Sequence, residues 1–324
     1  MSRRFISCNN CGGNDNKKIA TTWGNRGAVF IEKQHPVVMC KNCGLVYLNP
    51  QHSEKDYEMF YSSLNVKEVS LEDFMKLVNN EKYGKREIKQ FLLNNIDFKN
   101  ISKRPRLLDV GCGNGSFLYL FKDEKFDLEG LEPGKVMVNF ARENLSLEVL
   151  EGLLVNNDLK PGSYDILSAL ALIEHVIDPK NTLNKMWELL KPNGYILLTT
   201  PSFRDIVPIR GVENFFKFVH TYYFTEKSLG SLMKQAGFEV EKIWIKKSGF
   251  QRIFPFGMIP KTAVLCILGR KINAKADKPD VEDVEELTKL FADAKRKYFL
   301  HSFVSRVLRY PFALYYLLKS KLAF

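Results

Sequence analysis

Three glycines at alternate positions, Gly111, Gly113 and Gly115, stand between the apolar run RLLDV and the aromatic stretch SFLYLFKDE. The run reads as a buried strand and the stretch as a helix, so the glycines occupy a strand-to-helix turn. Glycine there removes side-chain bulk and accepts positive φ, which lets bare backbone pass close to a ligand. In parallel α/β sheets that turn lies where nucleotide-type cofactors bind. A dinucleotide fingerprint requires G-x-G-x-x-G, and counting from Gly111 the last position falls on Ser116. The pattern actually present is D-x-G-x-G-x-G, with Asp109 two residues ahead of the first glycine.

The alternation continues downstream. LEGLEP is strand-like, KVMVNFAREN helical, SYDILSALAL a strand, NTLNKMWELLK a helix and GYILLTTP a strand. The helix TEKSLGSLMKQAG and the strand-like runs FEVEKIWIKK and KTAVLCILGRK complete the series. Alternating strands and helices make a parallel sheet with helices on both faces, an α/β fold. The last two strands suit an antiparallel edge. The expected divisions are 1–52, 53–100 as a helical connection, 101–272 as the core, the linker NAKADKPD, and a helical tail over 281–324.

Four of the six cysteines form two C-x-x-C pairs, Cys8 with Cys11 and Cys40 with Cys43. The opening MSRRFISCNNCGG lacks the apolar core of a secretory signal, and no apolar run approaches the roughly 20 residues of a membrane helix. A cytoplasmic location is expected, and there paired knuckles favour a metal over disulfides. Four thiolates make a closed tetrahedral zinc site, which is structural and not catalytic. A glycine follows each second cysteine and allows backbone amides to turn toward the sulfurs. Cys112 is read as a small space-filling residue.

The glycine pattern resembles motif I of the class I S-adenosylmethionine-dependent methyltransferases. SYDILSALALIEHV, LLKPNGYILLTTPS and LMKQAGFEV resemble the later strands and helices of that family, from about Leu107 to Lys271. The resemblance implies a Rossmann-like seven-stranded sheet. It also implies S-adenosylmethionine as methyl donor, with Asp109, Gly111, Gly113 and Gly115 around its methionine part. Glu132, 17 residues past Gly115, would hold the ribose, and the region near Leu153 would lie by the adenine. Four-cysteine ribbons with CGLVYLNP leading into a helix precede such domains in bacterial relatives of sugar, surface-polysaccharide and antibiotic pathways. The larger sugar C-methyltransferases carry a third domain that this chain is too short to hold.

Methyl transfer to a hydroxyl calls for orientation, desolvation and a base, for which histidine is the ordinary choice. His175, in LIEHV, follows the fourth strand at the rim of the expected pocket; His220, in KFVHTYYFT, precedes the helix after the fifth and is the preferred base. In the quinone O-methyltransferases that this core resembles, a glutamate three residues before the Glu-His pair helps to bind a metal. That position is Ala171 here, which speaks against a catalytic metal.

The formal net charge is +11, and 295–324 carries seven Lys or Arg with no acidic residue. On a helix Phe299, Leu300, Phe303, Val304, Val307 and Leu308 share one face, and Pro311 ends or kinks it. Such a helix suits packing on the body or peripheral contact with anionic lipid at the inner face of a membrane. The acceptor expected is a hydroxyl of a small molecule or of a surface-glycan sugar, which includes lipid-linked ones. Two rivals stand beside it: an RNA methyltransferase using the ribbon for RNA contact, and a cofactor-binding scaffold without turnover. The first is disfavoured by the absence of an Asn/Asp-Pro-Pro-Tyr/Phe run after the fourth strand, and the second by the intact glycines and Glu132.

Overall fold

A computed structural model describes residues 3–22, 34–57, 70–79, 84–253 and 257–309. The N-terminal part contains β1 (Asn16–Thr22), β2 (His35–Cys40) and β3 (Val46–Leu48), then α1 (Leu71–Asn79) and α2 (Lys85–Asn95). The alternating region comes next as β4 (Arg106–Val110), α3 (Ser116–Tyr119), β5 (Asp127–Glu132), α4 (Lys135–Leu145), β6 (Glu148–Glu151), β7 (Tyr164–Leu170), α5 (Pro179–Leu189) and β8 (Leu190–Pro201). The chain continues through α6 (Phe203–Arg210), α7 (Val212–Phe215), β9 (Tyr222–Tyr223) and α8 (Glu226–Ala236) to β10 (Phe238–Ile253), β11 (Gly257–Lys271) and α9 (Val284–Arg309).

Seven strands form one sheet in the order β10-β11-β8-β7-β4-β5-β6. β4 to β8 run parallel, while β11 is antiparallel to β8 and β10 to β11, the edge expected from the sequence. β4 is flanked by β5 on one side and β7 on the other. The strand order therefore reverses beside β4, and the crevice at its carboxyl end is where the glycine turn falls. Leu107 and Leu108 are fully buried on opposite faces of β4, so each face packs its own helices.

One expected helix is shorter than its sequence pattern. Over SFLYLFKDE only Ser116–Tyr119 is α-helical, and the amides of Leu120, Phe121 and Lys122 then bond the carbonyls three residues back. Phe117 and Phe121 are both fully buried, with ring centroids 5.2 Å apart, and Phe121 also meets Phe126 at 5.3 Å. Seating these rings favours the tighter winding over a regular helix.

The N-terminal strands make a second, antiparallel sheet, β1-β2-β3-β9, whose last member comes from beyond β8. Cys8, Cys40, Cys43, Leu45 and Tyr47 belong to the same buried cluster as Leu108, Val110 and Leu131 of the main sheet. The buried Asn10 binds Ser231 and Gln235 of α8 through its side-chain oxygen, and Glu282 N donates to Cys43 O. The cysteine module is thus wedged between α8 and the segment before α9. The first half of α9 packs on the body through Leu287, Phe291 and Ala294, with the Phe291 ring stacked on Phe203 at 5.8 Å. The side chains of the expected face from Phe299 onward, and Pro311, lie outside the described residues. Among the described residues no helix is long and apolar enough to cross a membrane.

Candidate active site

The turn after β4 is held from within the core. Gly111 N donates to Leu131 O at 2.7 Å and Gly115 N to Cys112 O at 3.1 Å, and all three glycines have left-handed φ, between 57° and 77°. Their surroundings separate their roles. A Cβ on Gly115 would lie 2.6 Å from Leu147 Cδ1 and 3.3 Å from Ala141 Cβ, so this glycine lets α4 close on the turn. On Gly113 it would meet no atom within 4 Å: that backbone faces open space. Glu132 ties the turn to the next one, accepting from Gly113 N at 3.0 Å and from Gly134 N at 2.9 Å, one bond to each oxygen. Burial pushes its carboxyl up, against the pull of those two amides. Each oxygen keeps a lone pair for a further donor. Leu153 is half-buried where the chain leaves β6, at the start of a short turn over Leu154–Asn156.

Asp109 is 2% exposed and accepts from Ser168 Oγ of β7 at 2.6 Å. Burial lifts its carboxyl to about 7, opposed by the Ser168 bond and by the Lys85 ammonium. Lys85, at the first position of α2, reaches across to Ser116 Oγ at the start of α3. Burial lowers its ammonium, while the Asp109 charge supports it. The sequence did not mark Lys85, since a lysine on an amphipathic helix is ordinary and its partner lies 31 residues away. Cys112 is buried, and that burial pushes its thiol up, in keeping with a space-filling role.

This arrangement meets the needs of S-adenosylmethionine. An open space bordered by Gly113 backbone, a lysine with no carboxylate within ion-pair distance among the described residues, and two buried carboxyls suit a zwitterionic, positively charged ligand with vicinal hydroxyls.

A second cluster lies beyond β7, where Ala171 takes a left-handed φ of 52° and bonds Thr199 through its amide. His175 and His220 stand edge to face with ring centroids 4.7 Å apart. His175 Nδ1 is 3.0 Å from Val219 O, so that nitrogen carries the proton and donates. Burial lowers the two imidazoles, to about 4 for His175 and about 3 for His220, whose neighbour His175 adds to the effect. Glu174 is 1% exposed, and neither of its oxygens has a hydrogen bond of normal geometry. Burial lifts it to about 8, against a weak pull from its own amide and the Thr200 hydroxyl. Ligand atoms of Glu174, His175 and His220 lie within 4.8 Å of one another, near enough to share a proton or a cation.

The sulfurs of Cys8, Cys11, Cys40 and Cys43 also lie within 4.8 Å of one another. Cys8 Sγ is 3.5 Å from Cys43 Sγ, and Cys11 Sγ is 3.5 Å from Cys40 Sγ. A tetrahedral zinc with bonds of about 2.3 Å sets its sulfurs about 3.8 Å apart, so the four fit that ion. Hydrogen bonds from the Cys43 and Cys8 thiols, with the amides of Cys43 and Asn42, hold the Cys40 thiol down, whereas Cys8 and Cys43 are pushed up by the same sharing and by burial. Four sulfurs so close can all ionise only around a cation.

Comparison with known proteins bears on the family to which the chain belongs. A family model described as "Methyltransferase domain" matches residues 80–243, about half of the chain. A ubiquinone biosynthesis O-methyltransferase of Nitrosospira multiformis is 25% identical over 218 residues, 58% of this chain and 87% of that protein. The protein of the same name from Photobacterium profundum is 32% identical over 102 residues, and this chain spans only 43% of its length. A solved structure of a SAM-dependent methyltransferase from Archaeoglobus fulgidus is 16% identical with a TM-score of 0.46, covering 59% of this chain and 95% of that one.

Proposed function

Because the chain belongs to this methyltransferase-domain family and is an S-adenosylmethionine-dependent methyltransferase, we propose that its acceptor is a hydroxyl, deprotonated by His220. The observation that carries the reading is the cluster beyond β7 of buried Glu174 with half-buried His175 and His220, whose ligand atoms lie within 4.8 Å of one another. Bound at that turn, S-adenosylmethionine supplies an activated methyl group on a sulfonium. Asp109 receives the ammonium of its methionine part, Lys85 its carboxylate, and Glu132 the ribose hydroxyls, while Gly113 gives the backbone room. The region near Leu153 borders the adenine.

Both histidines are neutral at working pH, so a ring nitrogen of His220 is free of a proton when the acceptor arrives. It takes the hydroxyl proton as the oxygen becomes nucleophilic. His175 stays neutral and fixed through its Nδ1–H bond to Val219 O. Glu174 keeps its proton through the step, and its neutral carboxyl lies within 4.8 Å of both imidazoles, where it orients them as a dipole. Glu174 is buried and the two imidazoles are half-buried, which limits water at the cluster and strengthens these interactions. The names of the curated relatives, O-methyltransferases, support oxygen as the accepting atom. The acceptor class is a small molecule or a glycan sugar, in free or lipid-linked form, with zinc in the cysteine cluster as a structural ion. Anionic lipid is the peripheral partner proposed for the basic tail, 295–324.

The test uses donor carrying a labelled methyl group, purified protein and unlabelled extract, followed by separation of RNA, protein, lipid-soluble glycans and small soluble molecules. Label should appear in the glycan or small-molecule fraction with the wild type and fall about 100-fold with His220→Ala, the usual scale for a lost general base. Label in RNA, or an unchanged rate with His220→Ala, contradicts the reading.

A further inference from the structure

The segment that carries His220 runs from α7 to α8 with only the two-residue strand β9 as regular structure. A strand that short does not hold itself in place. Its supports come from two sides. From the N-terminal module, Thr22 Oγ1 donates to Phe216 O at 2.7 Å, the His35 ring lies 5.6 Å from Phe218, and Leu48 N donates to Thr221 O at 2.9 Å. Val46 and Tyr47 of β3 pair with Tyr223 and Tyr222, and the Tyr47 and Tyr222 rings stack at 5.9 Å. β3 begins three residues after Cys43, and Cys40 N donates to Leu45 O between them. The metal-ligating knuckle and the strand that supports β9 are therefore one piece of chain.

On the other side Thr221 ties the segment to the corner after β7. It is fully buried, its amide donates to Glu174 O at 2.8 Å, and its hydroxyl reaches both Glu174 O at 2.9 Å and Val176 O at 2.6 Å. The Tyr222 hydroxyl adds a bond to Ile177 O at 3.1 Å. Thr221 lies between His220 and β9, so it couples the module to all three members of the trio. The donor side is built differently: the bonds of the glycine turn run to Leu131, Cys112 and Glu132, all inside the core.

We propose that the four-cysteine module is the positioning element of the acceptor site, acting through β3 and β9, with Thr221 as the positioning residue for His220 and the Glu174–His175 corner. Metal in the cysteine cluster then governs the acceptor half of the site and leaves donor binding alone. This rests on the reading that His175 and His220 face the acceptor.

The experiment follows the reactivity of His220 and His175 toward diethyl pyrocarbonate by mass spectrometry, alongside calorimetric binding of S-adenosylhomocysteine. Both are measured on zinc-loaded protein, on protein stripped with a chelator, and on zinc-loaded Thr221→Val and Thr221→Ser. Stripping should raise His220 reactivity about tenfold through local opening of the segment. The affinity for S-adenosylhomocysteine should change less than about twofold, as for sites that share no hydrogen bond. Thr221→Val should raise His220 reactivity with zinc retained, and Thr221→Ser, which keeps the hydroxyl, should restore it. Unchanged His220 reactivity after stripping and in Thr221→Val overturns the proposal. So does a parallel loss of S-adenosylhomocysteine affinity, which would make the module a general scaffold. The readout is imidazole exposure and not turnover, so an error in the base assignment shows separately, as full transfer by His220→Ala.

Discussion

Two buried carboxyls and two half-buried imidazoles give the site its pH response. Asp109 and Glu174 hold protons in the folded protein up to about 7 and about 8, whereas carboxyls of the unfolded chain lose theirs near pH 4. Their raised values contribute stability at low pH that is lost as pH rises through the folded values. His175 and His220, lowered to about 4 and about 3, act in the opposite sense: the unfolded chain binds their protons below about 6.5, so stability falls as pH drops from there. Between about pH 4.5 and 6 the two pairs cancel, two protons against two. Above about 6.5 only the carboxyl pair acts. Denaturant unfolding should therefore show a plateau in stability from these groups near about pH 5–6 and a decline toward about pH 8, on the order of 1 kcal/mol per pH unit for each group still protonated. Asp109→Asn should make that decline shallower; an identical slope would show that Asp109 is already ionised in the folded protein. At this scale Asp109, the glycines and Glu132 were legible because a short motif carries them. Lys85 and Thr221 were not, because their significance lies in partners 31 and 47 residues away.

At the scale of elements, the β4–α3 turn is where local pattern and tertiary packing meet. Gly115 combines a φ of 77° with the close approach of Leu147 and Ala141. Gly115→Ala should destabilise the protein by about 2–4 kcal/mol, the sum of the left-handed penalty and overpacking against α4. Gly113→Ala meets no such neighbour, so its cost should be smaller and its effect should fall on donor affinity. Equal destabilisation by the two, in thermal or denaturant melts, would contradict this division. The periodicity of the long elements predicted β5, α4, β7, α5, β8 and α8, as well as the antiparallel β10–β11 edge. It overextended α3, since periodicity does not register how three large rings, Phe117, Phe121 and Phe126, must nest. It gave no sign of β9: two residues, Tyr222 and Tyr223, carry no period, and only pairing with β3 makes them a strand.

Over the whole molecule, the sequence divides into a cysteine module to about residue 52, a helical connection and a methyltransferase core from about residue 101, but the structure joins module and core through β9, a strand of the module's own sheet, and one shared hydrophobic cluster. The join could not be read from composition because its contacts span long separations, such as Asn10 to Gln235 and Thr22 to Phe216. It brings together two histidines, His175 and His220, which the sequence named singly and could not pair. In the reading proposed above, donor chemistry belongs to the main sheet at its switch point and acceptor chemistry to the seam where the module meets it. The seam, as proposed, directs the methyl group to oxygen. The most direct measurement uses donor with a carbon-13 methyl group and reads the carbon shift of the methyl in the isolated product. A shift in the methyl-ether range is the predicted result. A methyl bound to nitrogen or carbon would contradict a hydroxyl acceptor and the role assigned to His220.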